Sequence, residues 1–180
     1  LLNLLNAGYR QTLGSWKNLT RTTANTVTRQ FEDALDRAWL QVSSGAFDYK
    51  TAVKRAVDDL AGKGIKAIRY PSGHTDTLEV AARRAVLTGV NQTAAKLQIA
   101  RADEMGCDLV ETTAHPGARP SHAEWQGQVF SRSGHSRKYP PFERTGYGTG
   151  AGLCGWNCRH SFYPFFEGLS DRAYSRSYLD

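Results

Sequence analysis

Ala100-Arg101-Ala102-Asp103-Glu104-Met105-Gly106-Cys107-Asp108-Leu109-Val110-Glu111-Thr112-Thr113 carries the chain from one periodicity to another. Upstream of Gly106, the residues Leu78, Ala82, Ala85, Val86, Val90, Ala94, Leu97 and Ala100 recur at three- and four-residue steps. That stripe predicts a long amphipathic helix from Asp76 to Met105, opened by an Asp76/Glu79 capping box and stopped by Gly106. Its alanines allow close helix packing, and Arg83, Arg84, Asn91, Gln92, Lys96 and Arg101 form the polar flank. Downstream, Cys107 to Thr113 has no helical period and predicts a β-strand, with Cys107 buried as a small hydrophobe.

Working outward, Val27, Phe31, Leu35, Ala38, Trp39 and Val42 stripe a helix over Thr20 to Val42, ended by Gly45. Asp48 then caps a second helix carrying Ala52, Val53, Ala56, Val57 and Leu60, closed by Gly62-Lys63-Gly64. Ile65 to Tyr70 reads as a short strand with Ile65, Ala67 and Tyr70 on one face, and Pro71-Ser72-Gly73 as a turn. On the C-terminal side, Ser121 and Glu124 form a second capping-box pattern, predicting a helix from Ser121 to Gln126 with Gly127 as its stop. Gln128 to Ser131 reads as a strand and Gly134 to Gly152 as a long loop with a functional or partner-ordered role. The fold class expected is α+β: N-terminal long helices, then a small, mostly antiparallel sheet with long decorated loops. A helical hairpin or extension is expected over 1–64 and an α+β core domain over 65–180.

Of the 180 residues, 40% are hydrophobic and 22% charged, a folded-protein composition that excludes wholesale disorder. No apolar run approaches the ~20 residues that cross a bilayer, and no segment has the pattern of a signal peptide. The first residues, Leu1-Leu2-Asn3-Leu4-Leu5, contain no methionine, which predicts a piece of a longer polypeptide. The formal net charge is +6, and the stretch from Thr112 to Phe166 supplies most of it. Arg119, Arg132, Arg137, Lys138, Arg144 and Arg159 stand there against only Glu124 and Glu143. Such an excess attracts phosphate backbones without reading sequence, or forms an ordinary solvated face.

Scarce residue types concentrate in two blocks of that stretch. The first is Thr112-Thr113-Ala114-His115-Pro116-Gly117-Ala118-Arg119-Pro120-Ser121-His122-Ala123-Glu124-Trp125-Gln126-Gly127. The second is Cys154-Gly155-Trp156-Asn157-Cys158-Arg159-His160-Ser161-Phe162. Three readings of them are open. His115, His122, Cys154, Cys158 and His160 are all transition-metal ligands, and thiolate with imidazole favours a structural zinc. Alternatively, the cysteines pack as small apolar groups while His122 and His160 tie loops to backbone carbonyls. The third reading is an enzyme, nuclease or hydrolase-like, acting on nucleic acid or peptide. In it Cys158 or Cys154 is a nucleophile, His122 or His160 its base, Asn157 or Gln126 an orienter, and Arg159 depresses the thiol pKa. A Cys154–Cys158 disulfide would close too short a loop to gain much. Trp125, Trp156, Phe162, Phe165 and Phe166 are expected to floor these loops, with base stacking as the sharper option. The glycines from Gly146 to Gly155 lack the lysine and following Ser/Thr of a phosphate loop.

The string Glu111-Thr112-Thr113-Ala114-His115-Pro116-Gly117-Ala118-Arg119-Pro120-Ser121-His122, then Trp125-Gln126-Gly127-Gln128-Val129-Phe130, Gly146-Tyr147-Gly148-Thr149, Gly152 to Phe162 and Gly168, resembles the phage minor capsid protein 2 family. With Arg83 to Asn91 upstream, the resemblance covers roughly residues 70 to 170. That family is similar to the Mu F-like head-morphogenesis proteins, which share the Arg-x-x-His…Gly core and the Asn-Cys-Arg-Cys/His ending. The resemblance implies a minor structural protein of a tailed-phage head, assembled in the host cytoplasm and present in few copies near the portal. It implies the portal protein and major capsid protein as partners, and a role in assembly or DNA passage with non-specific contact to double-stranded DNA. Where distant relatives end in Asn-Cys-Arg-Cys, this chain has His160, and both side chains can ligate a metal.

Overall fold

The structure is a computed structural model, and residues 25–69 and 73–174 are described. Helix α1 (Asn25–Ser43), helix α2 (Tyr49–Gly62), strand β1 (Ala67–Arg69) and strand β2 (Thr75–Thr77) lead into helix α3 (Leu78–Glu104). Strand β3 (Leu109–Thr112), helix α4 (Pro120–Ala123), strand β4 (Val129–Ser131), a 3-10 helix (Phe142–Thr145) and strand β5 (Phe162–Pro164) follow. The fold is α+β, as the change of period at Gly106 implies. Two compact units result, Leu1–Thr93 and Ala94–Asp180. Among the described residues, no helix is long and apolar enough to cross a membrane.

In the first unit, α1 and α2 bury the faces that their apolar spacing marks. Phe31, Leu35, Ala38 and Trp39 meet Ala52, Val53, Ala56 and Leu60, and Leu78, Ala82, Ala85 and Val86 of α3 join the same core. Thr20 to Ala24 and the side chain of Val27 lie outside the described residues, as do Tyr70, Pro71 and Ser72. The Asp48 carboxylate accepts from the backbone N–H groups of Lys50 and Thr51, satisfying two donors that a helix start leaves open. The indole N–H of Trp39 donates to Thr93 Oγ1 at 3.2 Å, so the polar edge of this buried ring is matched.

Two local expectations fail here. Asp76 does not cap α3. It is buried in β2 at 7% exposure and pairs with Arg84 at 2.8 Å and His74 at 2.9 Å. The cap role passes to Thr77, whose hydroxyl oxygen accepts from Val80 N–H at 3.4 Å. In the β1–β2 hairpin, Ile68 rather than Ala67 points inward with Ile65, because pairing begins only at Ala67 opposite Thr77.

In the second unit, the remainder of α3 buries Ala95 and Ala102, with Ile99 packed against the core. Leu97 and Ala100 of the expected stripe are only half-buried. Gly106 leaves the helix at φ +59°, a conformation any side chain would strain. The sheet order is β4-β3-β5, with both pairings antiparallel. As the middle strand, β3 is covered on both faces, so Val110, Glu111 and Thr112 are all buried instead of alternating. Glu111, with no exposed surface, accepts from Tyr163 Oη at 3.0 Å and from Ala173 N at 3.3 Å, with Arg172 Nε at 3.5 Å. Cys107 is buried, as expected, with its Sγ 3.2 Å from Phe165 O.

Thr112 Oγ1 donates to Trp125 O at 2.9 Å and accepts from Gln128 N at 3.2 Å, which fastens the first motif block to the sheet. Thr112→Val keeps the volume and orphans these groups. Chemical denaturation is expected to show a loss of about 1–3 kcal/mol, the cost of stranding buried polar atoms. An unchanged midpoint would refute this anchoring role.

Candidate functional site

The two motif blocks fold onto each other. Thr113 N–H donates to Ser161 O at 2.9 Å and Ser161 N–H donates to Thr113 Oγ1 at 2.8 Å. Pro120 starts α4 at a position where its missing N–H costs nothing, and the turn buries His122. The expected Ser121/Glu124 box is not formed: Arg119 occupies the N-cap position without a side-chain cap bond, and α4 is only four residues long. Arg119 instead reaches the second block and donates to Trp156 O.

The second block is built on close backbone turns. Trp156 N–H donates to Gly150 O at 2.7 Å, Gly155 N–H to Gly152 O at 3.0 Å, and Cys158 N–H to Gly155 O at 3.2 Å. Cys154 and Asn157 both take left-handed backbone, at φ +58° and +52°. Asparagine tolerates that region better than cysteine does, and clustered strain of this kind is held in place only by surrounding structure. Trp156 departs from the expected aromatic floor: 51% exposed, its ring lies over Gly150. Trp125, Phe162 and Phe165 are buried and Phe166 is half-buried.

At the centre, His122, Cys158 and His160 are all buried, and one candidate ligand atom from each lies within 4.8 Å of the others. Cys158 Sγ is 3.8 Å from His122 Nδ1 and 3.7 Å from His160 Nδ1. The far nitrogen of each ring is set by a carbonyl oxygen. His122 Nε2 lies 2.8 Å from Ala151 O, and His160 Nε2 lies 3.1 Å from Gln126 Oε1. A carbonyl oxygen only accepts, so both rings carry their proton on Nε2 and turn an Nδ1 lone pair toward the sulfur. Gln126 Oε1 also accepts from His115 N–H at 3.1 Å, which fixes the amide's orientation.

His115 stacks on His160, ring centroids 4.1 Å apart. Its Nδ1 lies 3.0 Å from Pro116 O, while its buried Nε2 has no hydrogen-bond partner. Cys154 stands apart from the trio. It packs in the hydrophobic core with Leu153 and Phe162, its Sγ 3.5 Å from His160 O. None of the three cysteines forms a disulfide. A cavity of about 240 Å³ opens beside the cluster, and His115, Arg119, His122, Cys158, Arg159 and His160 line it.

Burial pushes the Cys158 thiol pKa up, against smaller downward influences that include Arg119. Burial also raises Cys154, and the nearby Cys158 adds to the effect. Both shifts run against the thiolate activation expected from Arg159, whose charge is not among the principal influences on Cys158. Burial, followed by repulsion from the His115 and His122 rings and Arg119, lowers His160 to about 4. His160 is therefore neutral at physiological pH, the form that ligates a metal.

The six basic residues divide. Arg132 pairs with Asp103 and Lys138 with Glu167, so two of the expected phosphate contacts are locally compensated. Both acids lie outside the Thr112 to Phe166 window, so counting charge within that window could not reveal them. Arg119, Arg137, Arg144 and Arg159 are exposed.

The family model described as phage minor capsid protein 2 matches residues 1–178. A structural protein of Lactococcus phage LL-H is 28% identical over 172 residues, covering 87% of this chain and 46% of that protein. A structural protein of Lactococcus phage mv4 is 52% identical over 33 residues, covering 18% of this chain and 27% of that protein. The chain thus covers less than half the length of the LL-H protein. No solved structure matches it.

Proposed function

The chain belongs to the phage minor capsid protein 2 family over nearly its whole length, and from that membership we propose that it is a minor structural protein of a tailed-phage head. In this reading it sits at the portal or the inner capsid wall in few copies and touches packaged DNA electrostatically. The family match carries the proposal. The thiols are buried and shifted away from the thiolate form, which argues against their use as free nucleophiles. Cross-linking of assembled heads tests the placement. Links from this chain to the portal protein or the inner face of the major capsid protein are expected, and links confined to the tail would refute it.

The DNA contact rests on the exposed arginines. Weak duplex binding that ignores sequence and fades with salt is expected. Each arginine touching a phosphate contributes about one unit to the slope of log affinity against log salt. Neutralising Arg137 and Arg144 together should therefore flatten the slope by about two units. Lys138 is a poorer choice, because Glu167 already holds its charge. Strong sequence preference, or an unchanged slope in the double variant, would remove the DNA contact from the proposal.

A further inference from the structure

We propose that Cys158 Sγ, His122 Nδ1 and His160 Nδ1 bind one zinc-class divalent cation, with the fourth coordination position facing the cavity and filled by solvent. This goes beyond a structural role in the head and does not depend on where the chain sits in the particle.

Three observations converge. First, two imidazole lone pairs face one sulfur from 3.7 and 3.8 Å. A single S–H proton can bridge to only one of them at a time, whereas a metal replaces that proton and bonds all three atoms. Zinc–sulfur and zinc–nitrogen bonds of about 2.3 and 2.0–2.1 Å give sulfur–nitrogen separations only slightly shorter than these, and the two nitrogens, within 4.8 Å of each other, draw together as the metal binds. Second, both rings are already oriented as metal ligands are. Their outer N–H groups are held by the carbonyls of Ala151 and Gln126, the arrangement that fixes tautomer and raises ligand basicity. Third, His115 lines the same cavity and carries a buried Nε2 without a partner. That nitrogen is a ready acceptor for a proton of metal-bound solvent. The donor set of one thiolate and two imidazoles selects zinc or cobalt over magnesium or calcium, which take oxygen ligands.

Binding exchanges the thiol proton for the metal: the S–H bond breaks, the proton leaves to solvent, and the sulfur lone pair forms the new bond. No redox change occurs. Cys154, buried in the core beneath, is not a ligand in this geometry.

The test uses the purified full chain titrated with Co(II) and, separately, analysed for Zn(II) after loading and dialysis. Wild type is expected to retain one zinc per chain. Its cobalt form should show tetrahedral-type visible bands and a near-ultraviolet thiolate-to-cobalt band. Cys154→Ser should keep that band and Cys158→Ser should lose it. Gln126→Ala leaves every ligand in place but releases the His160 ring, so it should weaken cobalt affinity about 10- to 100-fold. Wild type that retains no metal after dialysis, or cobalt bound without a thiolate band, overturns the proposal. So does a band that survives Cys158→Ser or vanishes in Cys154→Ser. If Cys158→Ser does not fold, the decision falls to Gln126→Ala, and undiminished affinity there overturns the proposal.

Discussion

Gly152→Ala is expected to prevent the second unit from reaching its native packing. A Cβ at position 152 would lie 2.0 Å from Gly146 O, 2.3 Å from its carbonyl carbon and 2.7 Å from its Cα. All three contacts are backbone, so no rotamer change relieves them and the two loop segments must separate. That separation breaks the Leu153 N–H to Thr145 O bond of 2.9 Å and the Gly152 N–H to Thr149 Oγ1 bond of 3.1 Å. It also moves Ala151, whose carbonyl holds His122. Overpacking a well-fitted interior costs about 1–3 kcal/mol, and an immovable backbone clash belongs at or beyond the upper end. Gly62→Ala is the control, because nothing lies within 4 Å of its added carbon. Alanine there, at the end of α2, should be neutral or slightly stabilising. Denaturant unfolding compares the two, and equal midpoints would contradict the close approach at Gly152.

Phe162→Ala is expected to be comparably damaging for a different reason. Phe162 is 1% exposed, and its ring meets Phe142 and Tyr147 at centroid distances of 5.0 and 5.5 Å. It lies on β5, whose pairing with β3 places the second motif block beside the first. Removing the ring loses its transfer free energy and leaves a cavity, about 3–5 kcal/mol together. Against a typical domain stability of about 5–15 kcal/mol, that is enough to leave the second unit only marginally folded. Leu169→Ala, at an 87% exposed site, should stay within about 0.5 kcal/mol of wild type. A Phe162→Ala variant as stable as Leu169→Ala would show that the aromatic cluster does not hold the sheet.

Periodicity made the helices legible, and its loss after Gly106 marked the middle strand. Leu35 and Trp39, or Val53 and Leu60, announce their buried faces because a whole stripe supports each assignment. Among the short strands, Ala67–Arg69 and Val129–Ser131 fall inside the stretches read as strands, but two others were not legible. Thr75–Thr77 and Phe162–Pro164 are three-residue strands, too short for a period, and exist through their partners β1 and β3. Both Asp76 and Ser121 match a capping pattern, yet neither caps. Asp76 gains more from Arg84 inside the hairpin, and Pro120 starts α4 one residue before Ser121.

In the site, residue types alone grouped His115, His122, Cys154, Cys158 and His160, but could not sort them. The left-handed turn at Cys154 and Asn157 sends Cys158 to the histidines while Cys154 packs among Leu153 and Phe162. The sequence marks that turn only weakly, because Asn157 tolerates left-handed backbone but Cys154 does not announce it. The carbonyl of Ala151 was equally invisible, since a backbone oxygen carries no mark in a sequence. Arg132 and Lys138 looked like phosphate contacts only because Asp103 and Glu167, their partners, lie outside the basic stretch.

The structural role in the head is tested most directly by counting this chain in gradient-purified phage heads with isotope-labelled peptide mass spectrometry. A fixed copy number far below that of the major capsid protein is expected, the same in empty and DNA-filled heads. Heads that lack the chain while it accumulates free in the lysate would contradict a structural role in the virion.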